Sequence, residues 1–461
     1  MKYKTLRGQI EKFLIEHKND NKFEEGNWVE YSGPHFDEDE YLAIFDSLLE
    51  KYETTGKSWF ILGEKAKQFE TDFSQFMGKT FGTFTNSGSS ANLLMVSALT
   101  SLNKRNKWHL AKGDKVITPI VCFPTTINPL IQNGLVPVFV DVELPSLNLD
   151  LNAVENMLEE WDYSDGDRPK VITFAHVLGN PPDMDRLMAI CDKYNLIFLE
   201  DACDALGSTY NGKPLGSFGL ISTCSFFPAH HMTTAEGGMV CTNEYRLKTT
   251  LNSFRDWGRA CYCNELKPGN VTCGTACGCR FNNWFPDSEI EYDHRYVFDE
   301  IGYNLKPLEL QAAIGLAQLK KLPAMEKARR DNHKRLTSIF NKHSEELTLQ
   351  TATDKSDPCW FGFLVLMNDL DEKKKLVNFL EKKKIQTRSY FSGNILYHPG
   401  YRHLTDLTVP ELMEKFPNAH KATTSAFFLG TFIGLTEEKL DYIEKVIDEY
   451  FLTNKQLEMF A

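Results

Sequence analysis

The sequence lacks any long apolar run. None of its 461 residues fall in a stretch of the roughly 18 consecutive apolar residues that a membrane-spanning helix needs. The nearest candidate, residues 425–435, is shorter and is interrupted by two glycines and a threonine. The first residues are polar and lack the apolar core of a secretory signal. We therefore expect a cytoplasmic protein without membrane insertion.

An excess of positive charge is also missing. The 51 Lys and Arg residues are outnumbered by 63 Asp and Glu residues, which gives a net charge of −12. Nucleic-acid-binding domains present a basic face, so this balance argues against nucleic acid as a partner. Repeats of fixed period and low-complexity segments are absent from the sequence too. With 42% hydrophobic residues the chain can bury a large core, and its length suggests two or three domains.

Cysteine is present, and its distribution is uneven. There are eleven cysteines, an odd number, and cytoplasmic conditions disfavour structural disulfides. Five of them fall within residues 261–279, namely Cys261, Cys263, Cys273, Cys277 and Cys279. A local cluster of thiols in a reducing compartment usually binds metal. We therefore expect a metal site that draws on this segment.

The order of the apolar patterns indicates an α/β protein. Residues 6–17 and 37–52 show the three-and-four spacing of helices. From residue 81 short apolar runs alternate with helical stretches, which predicts a mostly parallel sheet flanked by helices. A helical pattern over 308–327 then leads into a more charged C-terminal third. We expect an N-terminal helical segment at 1–56 that packs on the small domain, a large α/β domain at 57–320 and a small α+β domain at 321–461.

A Ser- and Gly-rich turn, residues 86–92, lies between a predicted strand and a predicted helix. Gly88 would let the backbone approach an anion closely, and the amides of Ser89 and Ser90 would begin the helix. This arrangement is typical of a phosphate-binding turn. Ser and Gly before a helix are also common N-cap residues, so the turn is ambiguous when taken alone.

Two further segments place polar side chains at predicted strand ends. A short apolar run ends in Glu200 and Asp201, and ligands of open α/β sheets bind outside the carboxyl ends of strands. A carboxylate there can pair with a protonated ring nitrogen, although a helix N-cap is the alternative. Residues 225–238 carry His230 and His231 ahead of a Gly-Gly turn. Adjacent side chains point in different directions, so we do not expect both histidines to bind one metal.

Together these segments resemble the motifs of the DegT-type sugar aminotransferase family, whose members use pyridoxal phosphate. A further segment, residues 302–315 with Gly-Tyr-Asn at its start and Gln-Ala-Ala-Ile-Gly at its end, matches as well. The resemblance covers residues 57–320, with weaker matching to the C-terminus. It implies a pyridoxal-phosphate-dependent transferase of fold type I, with a mostly parallel seven-stranded sheet in a large cofactor-binding domain and a smaller α+β C-terminal domain.

The main departure from the family pattern is His230. Family members carry at this position the lysine that bonds covalently to pyridoxal phosphate, and imidazole cannot form that bond. No lysine lies within ten residues on either side. Imidazole can still transfer a proton near neutral pH. The resemblance therefore narrows to the sugar 3-dehydratases of the family, which hold pyridoxamine phosphate non-covalently, and it implies that His230 is the catalytic residue.

The cysteine pattern resembles one branch of these dehydratases, the CDP-4-keto-6-deoxy-D-glucose 3-dehydratases, which hold a [2Fe–2S] cluster. The branch shares Arg-Asp-Trp-Gly-Arg, here residues 255–259, followed by Cys-x-Cys, here Cys261 and Cys263. Its first ligand follows the Glu-Asp strand end, which corresponds to Cys203. Four thiolates are the usual ligands of such a cluster.

The fourth cluster ligand is open between two cysteines. The resemblance favours Cys277, whose surroundings read Cys-Gly-Cys-Arg-Phe, and keeps Cys273 in reserve. Cys279 need not be a ligand. A structural zinc site with four cysteines is the alternative to iron and sulfide.

The resemblance implies a complete activity. A nucleotide-linked 4-keto-6-deoxyhexose, expected to be CDP-4-keto-6-deoxyglucose, would lose its C3 hydroxyl in the biosynthesis of 3,6-dideoxy sugars for lipopolysaccharide O-antigen. Electrons would come through the cluster from a separate NAD(P)H-dependent iron–sulfur flavin reductase, and the enzyme would be a homodimer. The alternatives are an aminotransferase-like protein with a structural zinc site, and a non-catalytic scaffold built on the same fold.

The same resemblance implies roles for individual residues. Asp201 would pair with the pyridine nitrogen, and Phe123 would stack on the cofactor ring unless it is a core aromatic. The expected cofactor-binding residues are Gly88, Ser89, Ser90, Phe123, Asp201, Asp204, Ser225 and, across a dimer interface, Asn304. The expected substrate-site residues are His176, Asn180, Arg388 and Asn394, of which Arg388 is equally explained as a surface charge.

Overall fold

The computed structural model describes most of the chain as a large α/β unit and a smaller α+β unit joined by one long helix. The described residues are 2–18, 22–50, 52, 56, 60–102, 106–164, 167–260, 280–281, 285 and 287–460. Side chains are described up to residue 452.

The described strands form three sheets. In chain order they are β1 (Phe81–Thr85), β2 (Lys115–Pro119), β3 (Val136–Val140), β4 (Pro169–Ala175), β5 (Ile197–Asp201), β6 (Thr209–Tyr210), β7 (Lys213–Pro214), β8 (Ile221–Ser225), β9 (Gly238–Thr242), β10 (Leu347–Leu349), β11 (Ser356–Asp357), β12 (Gly362–Met367), β13 (Arg388–Ser389) and β14 (Ala426–Gly430).

The α-helices lie around these sheets. In chain order they are α1 (Tyr3–Glu16), α2 (Glu38–Leu49), α3 (Glu64–Phe76), α4 (Gly88–Leu99), α5 (Pro124–Gln132), α6 (Leu151–Glu159), α7 (Met184–Tyr194), α8 (Tyr245–Arg255), α9 (Glu309–Phe340), α10 (Leu370–Lys382), α11 (Val409–Lys415), α12 (Pro417–Ser425) and α13 (Glu437–Phe460).

The large sheet has seven strands within the described chain, in the order β1-β9-β8-β5-β4-β2-β3. All pairings from β8 to β3 are parallel, whereas β9 runs antiparallel to β1 and to β8. Six of these strands are largely buried because helices cover both faces of the sheet, whereas the edge strand β3 is only partly buried. This arrangement confirms the predicted mostly parallel seven-stranded sheet.

Helix α4 begins at one end of the large sheet, just after strand β1. It starts at Gly88, directly after β1, and the hydroxyl of Ser87 caps it by accepting from the Ser90 amide. Its apolar residues Leu94, Val96 and Leu99 are buried in the core on one side of the sheet. The helix N-terminus therefore lies at the carboxyl end of β1, where ligands of such sheets bind.

The helix α9 runs through the expected domain boundary at residue 320. It begins at Glu309 and continues for 32 residues, well beyond the predicted end at 327. Its first half packs on α3, with Gly315 against the ring of Phe69, and its second half packs on the four-stranded sheet β10-β12-β14-β13. The two units are thus connected by an unbroken helix.

The N-terminal segment is tied to both units. In α2, Glu40 is fully buried and accepts from Gln318 and Lys321 of α9. Val29 pairs as an isolated bridge with Ile385 beside the small sheet. These contacts place residues 29–34 along the small unit and bring Tyr31 to the cleft between the two units.

Candidate active site

A cleft of about 640 Å³ opens at the carboxyl ends of the parallel strands. The large unit, the small unit and the N-terminal segment all contribute to its walls. The predicted residues that line it are Gly88, Ser89, Phe123, Asp201, Cys203, Asp204, Ser225, His230 and Arg388. Residues far apart in the sequence therefore meet at the one place where an open α/β sheet binds ligands.

Asp201 sits at the end of β5 and is only 3% exposed. Its carboxylate accepts from the side-chain amide of Asn92 at 2.8 Å and from the hydroxyl of Thr126 at 3.0 Å. Thr223 in turn donates to Asn92 at 2.6 Å. These hydrogen bonds fix the orientation of the carboxylate. Because each oxygen has two lone pairs, the carboxylate can still accept a hydrogen bond from a donor in the cleft.

The turn before α4 forms a cradle suited to an anion. The Ser87 hydroxyl caps the Ser90 amide, whereas no hydrogen bond from the amides of Gly88 or Ser89 is found among the described residues. The first amides of a helix have no partner within the helix. A side chain at position 88 would collide with Ser225, whose Oγ would lie 2.6 Å from the added carbon. Free amides, a helix N-terminus and the hydroxyls of Ser89 and Ser225 together make a site for a phosphate group.

Phe123 presents a ring to the cleft. It precedes α5 as its N-cap residue and is 51% exposed, so it is not a core aromatic. Its nearest ring is that of Phe391, at 6.3 Å between centroids and nearly edge-on. The face of Phe123 is therefore free to stack on a planar ligand.

His230 lies on the loop between β8 and β9 and faces Asp204 across the cleft. The two side chains approach to 3.3 Å between Nδ1 and Oδ1, and both are largely buried. Burial raises the pKa of the Asp204 carboxyl, while His230 acts in the opposite direction. The ring of Phe361 lies 5.3 Å from the imidazole centroid. With Nδ1 turned to Asp204, Nε2 is the atom of His230 left for chemistry.

His231 points away from this site. Its Nε2 donates at 2.7 Å to the carbonyl of Cys359 in the small unit, and it is 3% exposed. Burial and the charge of Arg329 hold the pKa of His231 well below its usual range. The neutral imidazole is a structural anchor, and the two adjacent histidines have separate environments.

Cys203, two residues after Asp201, lines the cleft and is partly accessible. Burial, and then the Asp201 carboxylate, raise the pKa of its thiol well above the usual range. The other predicted ligands, Cys261, Cys263, Cys277 and the reserve Cys273, lie outside the described residues. Within the part of the chain that is described, no group of three or more metal-binding side chains occurs.

Two predicted substrate residues are not brought to the cleft. His176 is fully buried, and its Nε2 lies 2.9 Å from the carboxylate of Glu200. Since Glu200 precedes Asp201 in β5, its side chain faces the opposite side of the sheet. Asn180 bridges to the backbone at Thr351 and Thr353. A position shortly after a strand therefore did not show which side chains enter the cleft.

The remaining predicted residues differ in their placement. Asn394 is fully buried and caps a short helical turn by accepting from Leu396. Ser90 is engaged with Ser87 and is not among the described cleft-lining residues. Asn304 is exposed and does not line the cleft of its own chain. Arg388 does line the cleft, where its guanidinium lies 4.0 Å above the ring of Tyr31.

Several contributing residues were not identified from the sequence. Asn92 and Thr126 orient Asp201, and both are buried. Asn92 ends the turn segment 86–92, and Thr126 lies three residues after Phe123. Tyr31 and Phe361 reach the cleft from distant parts of the chain. For these two no local sequence signal exists, because only the packing of the small unit brings them in.

Known proteins resemble this chain over most of its length. The sequence profile of the DegT/DnrJ/EryC1/StrS aminotransferase family matches residues 46–448. The lipopolysaccharide biosynthesis protein RfbH of Salmonella typhimurium is 42% identical over 86% of this chain and 87% of its own. The dTDP-4-dehydro-2,6-dideoxy-D-glucose 3-dehydratase of Saccharopolyspora spinosa is 41% identical over 91% of this chain and 86% of its own.

Solved structures show the same relationship. The E. coli GDP-4-keto-6-deoxy-D-mannose-3-dehydratase with bound hydrated pyridoxal phosphate superposes with a TM-score of 0.75 at 32% identity, over 91% of this chain and 99% of that one. The chain belongs to the DegT/DnrJ/EryC1/StrS aminotransferase family. The fold type I prediction and the resemblance to the nucleotide-sugar 3-dehydratases are confirmed. No helix in the described chain is long and apolar enough to cross a membrane.

Proposed function

We propose that this protein is a pyridoxamine-phosphate-dependent 3-dehydratase of a nucleotide-linked 4-keto-6-deoxyhexose. The observation that carries the proposal is His230. It stands in the cleft at the position where the family's aminotransferases have lysine, with Nδ1 3.3 Å from Asp204. The relatives named as 3-dehydratases support this choice of reaction over amino transfer.

The cleft residues fit pyridoxamine phosphate. The free amides at the start of α4, with Ser89 and Ser225, would hold the phosphate, and Phe123 would stack on the ring. Asp201 would accept from the pyridine nitrogen and keep it protonated, since its other partners already fix its orientation. When bound, the cofactor supplies an electron sink for cleavage of the C3–oxygen bond.

His230 would move the proton. Asp204 at Nδ1 would orient the imidazole so that Nε2 faces the cleft. From there Nε2 can take a proton from a carbon atom of the bound cofactor and return one to the departing hydroxyl. The small-unit residues Phe361 and Phe428 line the same cleft and would limit the access of water.

The metal site is the second part of the proposal. Cys203 lies on the cleft wall beside Asp201, which fits a metal centre close to the cofactor. Together with Cys261, Cys263 and Cys277, or Cys273 in its place, it would hold a [2Fe–2S] cluster. The cluster would accept electrons from an NAD(P)H-dependent iron–sulfur flavin reductase. The cysteine spacing supports iron over a structural zinc site.

We further propose a cytoplasmic homodimer that acts on CDP-4-keto-6-deoxyglucose in 3,6-dideoxy sugar and O-antigen biosynthesis. The exposed Asn304 would reach the phosphate of the partner subunit's cofactor, as the family resemblance implies. The similarity to RfbH supports a role in lipopolysaccharide biosynthesis.

The test is a product analysis under anaerobic conditions. The protein, loaded with pyridoxamine phosphate, is incubated with CDP-4-keto-6-deoxyglucose and an iron–sulfur flavin reductase with NADH, and the sugar is analysed by mass spectrometry. Loss of the C3 oxygen in a His230-dependent manner would support the proposal. A parallel reaction with glutamate and pyridoxal phosphate tests the alternative, since an amino sugar product would identify an aminotransferase instead.

A further inference from the structure

Arg329 is a buried guanidinium without a carboxylate among its hydrogen-bond partners in the described chain. It lies on α9, where the helix passes from the large unit to the small unit, and it is 3% exposed. Its Nη1 donates to the carbonyls of Trp360 and Phe361, at 3.3 and 3.1 Å, and contacts the Thr431 hydroxyl at 3.4 Å. Burial lowers its pKa to about 10.

The second nitrogen of the same guanidinium reaches the candidate active site. Nη2 of Arg329 donates to the backbone carbonyl of His230 at 3.1 Å. A buried arginine is expensive to desolvate, and its rigid fork is suited to holding several carbonyls in fixed relative positions. One side chain thus links the backbone of His230 to two segments of the small unit.

The loop that carries His230 depends on such an anchor. At its base the Phe226 amide donates to the Gly237 carbonyl at 2.9 Å, and inside it the His230 amide donates to Phe227 at 3.0 Å. These bonds shape the loop but do not fix its tip against the rest of the protein. Contacts to the rest of the protein are made by Arg329 at the His230 carbonyl, by His231 at Cys359, and by Gln318 of α9, which accepts from the Thr233 amide at 3.2 Å. Of these three, only Arg329 contacts residue 230 itself.

We propose that Arg329 is a positioning residue for His230, which aims the imidazole into the cleft by holding the His230 backbone carbonyl against the small unit. This inference rests on the proposed function only for the use made of the imidazole. The position of the residue 230 side chain relative to a bound cofactor can be measured without any dehydration.

The experiment uses covalent capture as a distance-sensitive readout. In a His230→Lys background the new amine can add to the aldehyde of pyridoxal phosphate with loss of water. Borohydride then reduces the carbon–nitrogen double bond, and the mass increase counts the captured chains. Capture requires the residue 230 side chain to point at the cofactor, whereas non-covalent retention of pyridoxal phosphate does not.

The neighbouring arginine supplies a matched control. Arg330 is on the same helix and also joins the two units, through the carbonyl of Gly207 at 2.9 Å and the carboxylate of Asp357 at 3.1 Å. Its hydrogen bonds in the described chain go to these groups and not to the His230 loop. Arg330→Gln therefore weakens the contacts between the two units and keeps the hydrogen bond from Arg329 to the residue 230 carbonyl.

In the His230→Lys background, we expect Arg329→Gln to slow capture about tenfold or more, and Arg330→Gln to leave it unchanged. Arg329→Lys should give an intermediate capture rate, because one ammonium cannot reach both the His230 carbonyl and the carbonyls of the small unit. The lysine variant replaces the glutamine variant in this test if the latter does not fold. In protein that keeps His230, Arg329→Gln should lower kcat for dehydration and leave the Kd for the cofactor unchanged. Equal capture by the two glutamine variants, whether fast or slow, would overturn the proposal. Failure of the dehydration assay would leave the capture result intact.

Discussion

The Nδ1 atom of His230 lies 3.3 Å from Oδ1 of Asp204, in a region where both side chains are mostly screened from water. A carboxylate in this position orients an imidazole. In the proposed mechanism, this pair supplies the proton-transfer group of the cleft.

The first prediction concerns the stability cost of this pair. Burial raises the folded-state pKa of Asp204 above the unfolded value of 3.8. The folded protein therefore holds this proton more tightly, so stability falls as pH rises from 3.8 through the folded pKa and stays lower above it. We expect Asp204→Asn to be at least as stable as the wild type at pH 7 in urea unfolding, but more than about tenfold slower in dehydration.

The control for this variant is Asp201→Asn, which changes the other carboxylate of the cleft. It should weaken cofactor binding, whereas Asp204→Asn should leave cofactor affinity largely intact and reduce kcat. If the two variants lose cofactor affinity equally, Asp204 acts on the cofactor and not on His230.

A second prediction separates His176 from the chemistry. Burial acts to raise the pKa of Glu200, but the hydrogen bond from His176 and the backbone amides of Gly216 and Gly219 outweigh it and lower the pKa. This stabilisation is present above the unfolded value of 4.5 and is lost as pH falls through the folded pKa. We expect His176→Ala to cost about 1.5–3 kcal/mol in urea unfolding at pH 7.

The exposed His403 offers a comparison for that measurement. His403→Ala should change the free energy of unfolding by less than about 0.5 kcal/mol. Folded His176→Ala protein should retain its affinity for the cofactor. A strong loss of affinity at unchanged stability would show that His176 contributes to ligand binding.

A third prediction tests the phosphate cradle. In Gly88→Ala the added methyl group would collide with Ser225, so the first turn of α4 must move away from the phosphate position. We expect the Kd for pyridoxamine phosphate, measured by fluorescence titration, to rise about tenfold, which corresponds to roughly 1.4 kcal/mol. Gly400→Ala, where an added carbon meets nothing within 4 Å, should bind normally. Equal affinities would place the phosphate elsewhere.

The metal proposal predicts a specific loss of iron. Cys203→Ser should reduce the iron and acid-labile sulfide of anaerobically purified protein from about two of each per chain to a small fraction. Cys191→Ala, in which a buried thiol of α7 is removed, should keep both. Zinc in the wild-type protein, or full iron content in Cys203→Ser, would contradict the proposed cluster.

The fold was predictable because the strand and helix patterns are local. The apolar run that ends at Asp201 and the turn at Gly88 indicated both the sheet and the end of it where the cleft lies. The length of α9 was underestimated, since its second half is amphipathic against the small unit and carries more charge. Burial of such a face is a tertiary property that a local pattern does not reveal.

The site was predictable in part, for a related reason. His230, Asp201 and Ser89 lie in recognisable motifs and line the cleft. His176 and Asn180 follow the same strand, but their side chains contact Glu200 and the backbone near Thr351 instead. Tyr31, Phe361 and Arg329 enter through the packing of the small unit and the N-terminal segment. Contacts between distant segments depend on the whole fold, so no sequence motif predicted these three residues.

The most direct test of the central claim is proton exchange at the cofactor. Pyridoxamine phosphate carrying deuterium at its C4′ carbon is incubated with the protein and CDP-4-keto-6-deoxyglucose, without reductase, and the loss of deuterium is followed by mass spectrometry. If His230 carries the proton, the wild type loses one deuterium rapidly and His230→Asn slows the loss at least about a hundredfold. Equal loss in both proteins would show that another group moves the proton, and would contradict the catalytic role of His230.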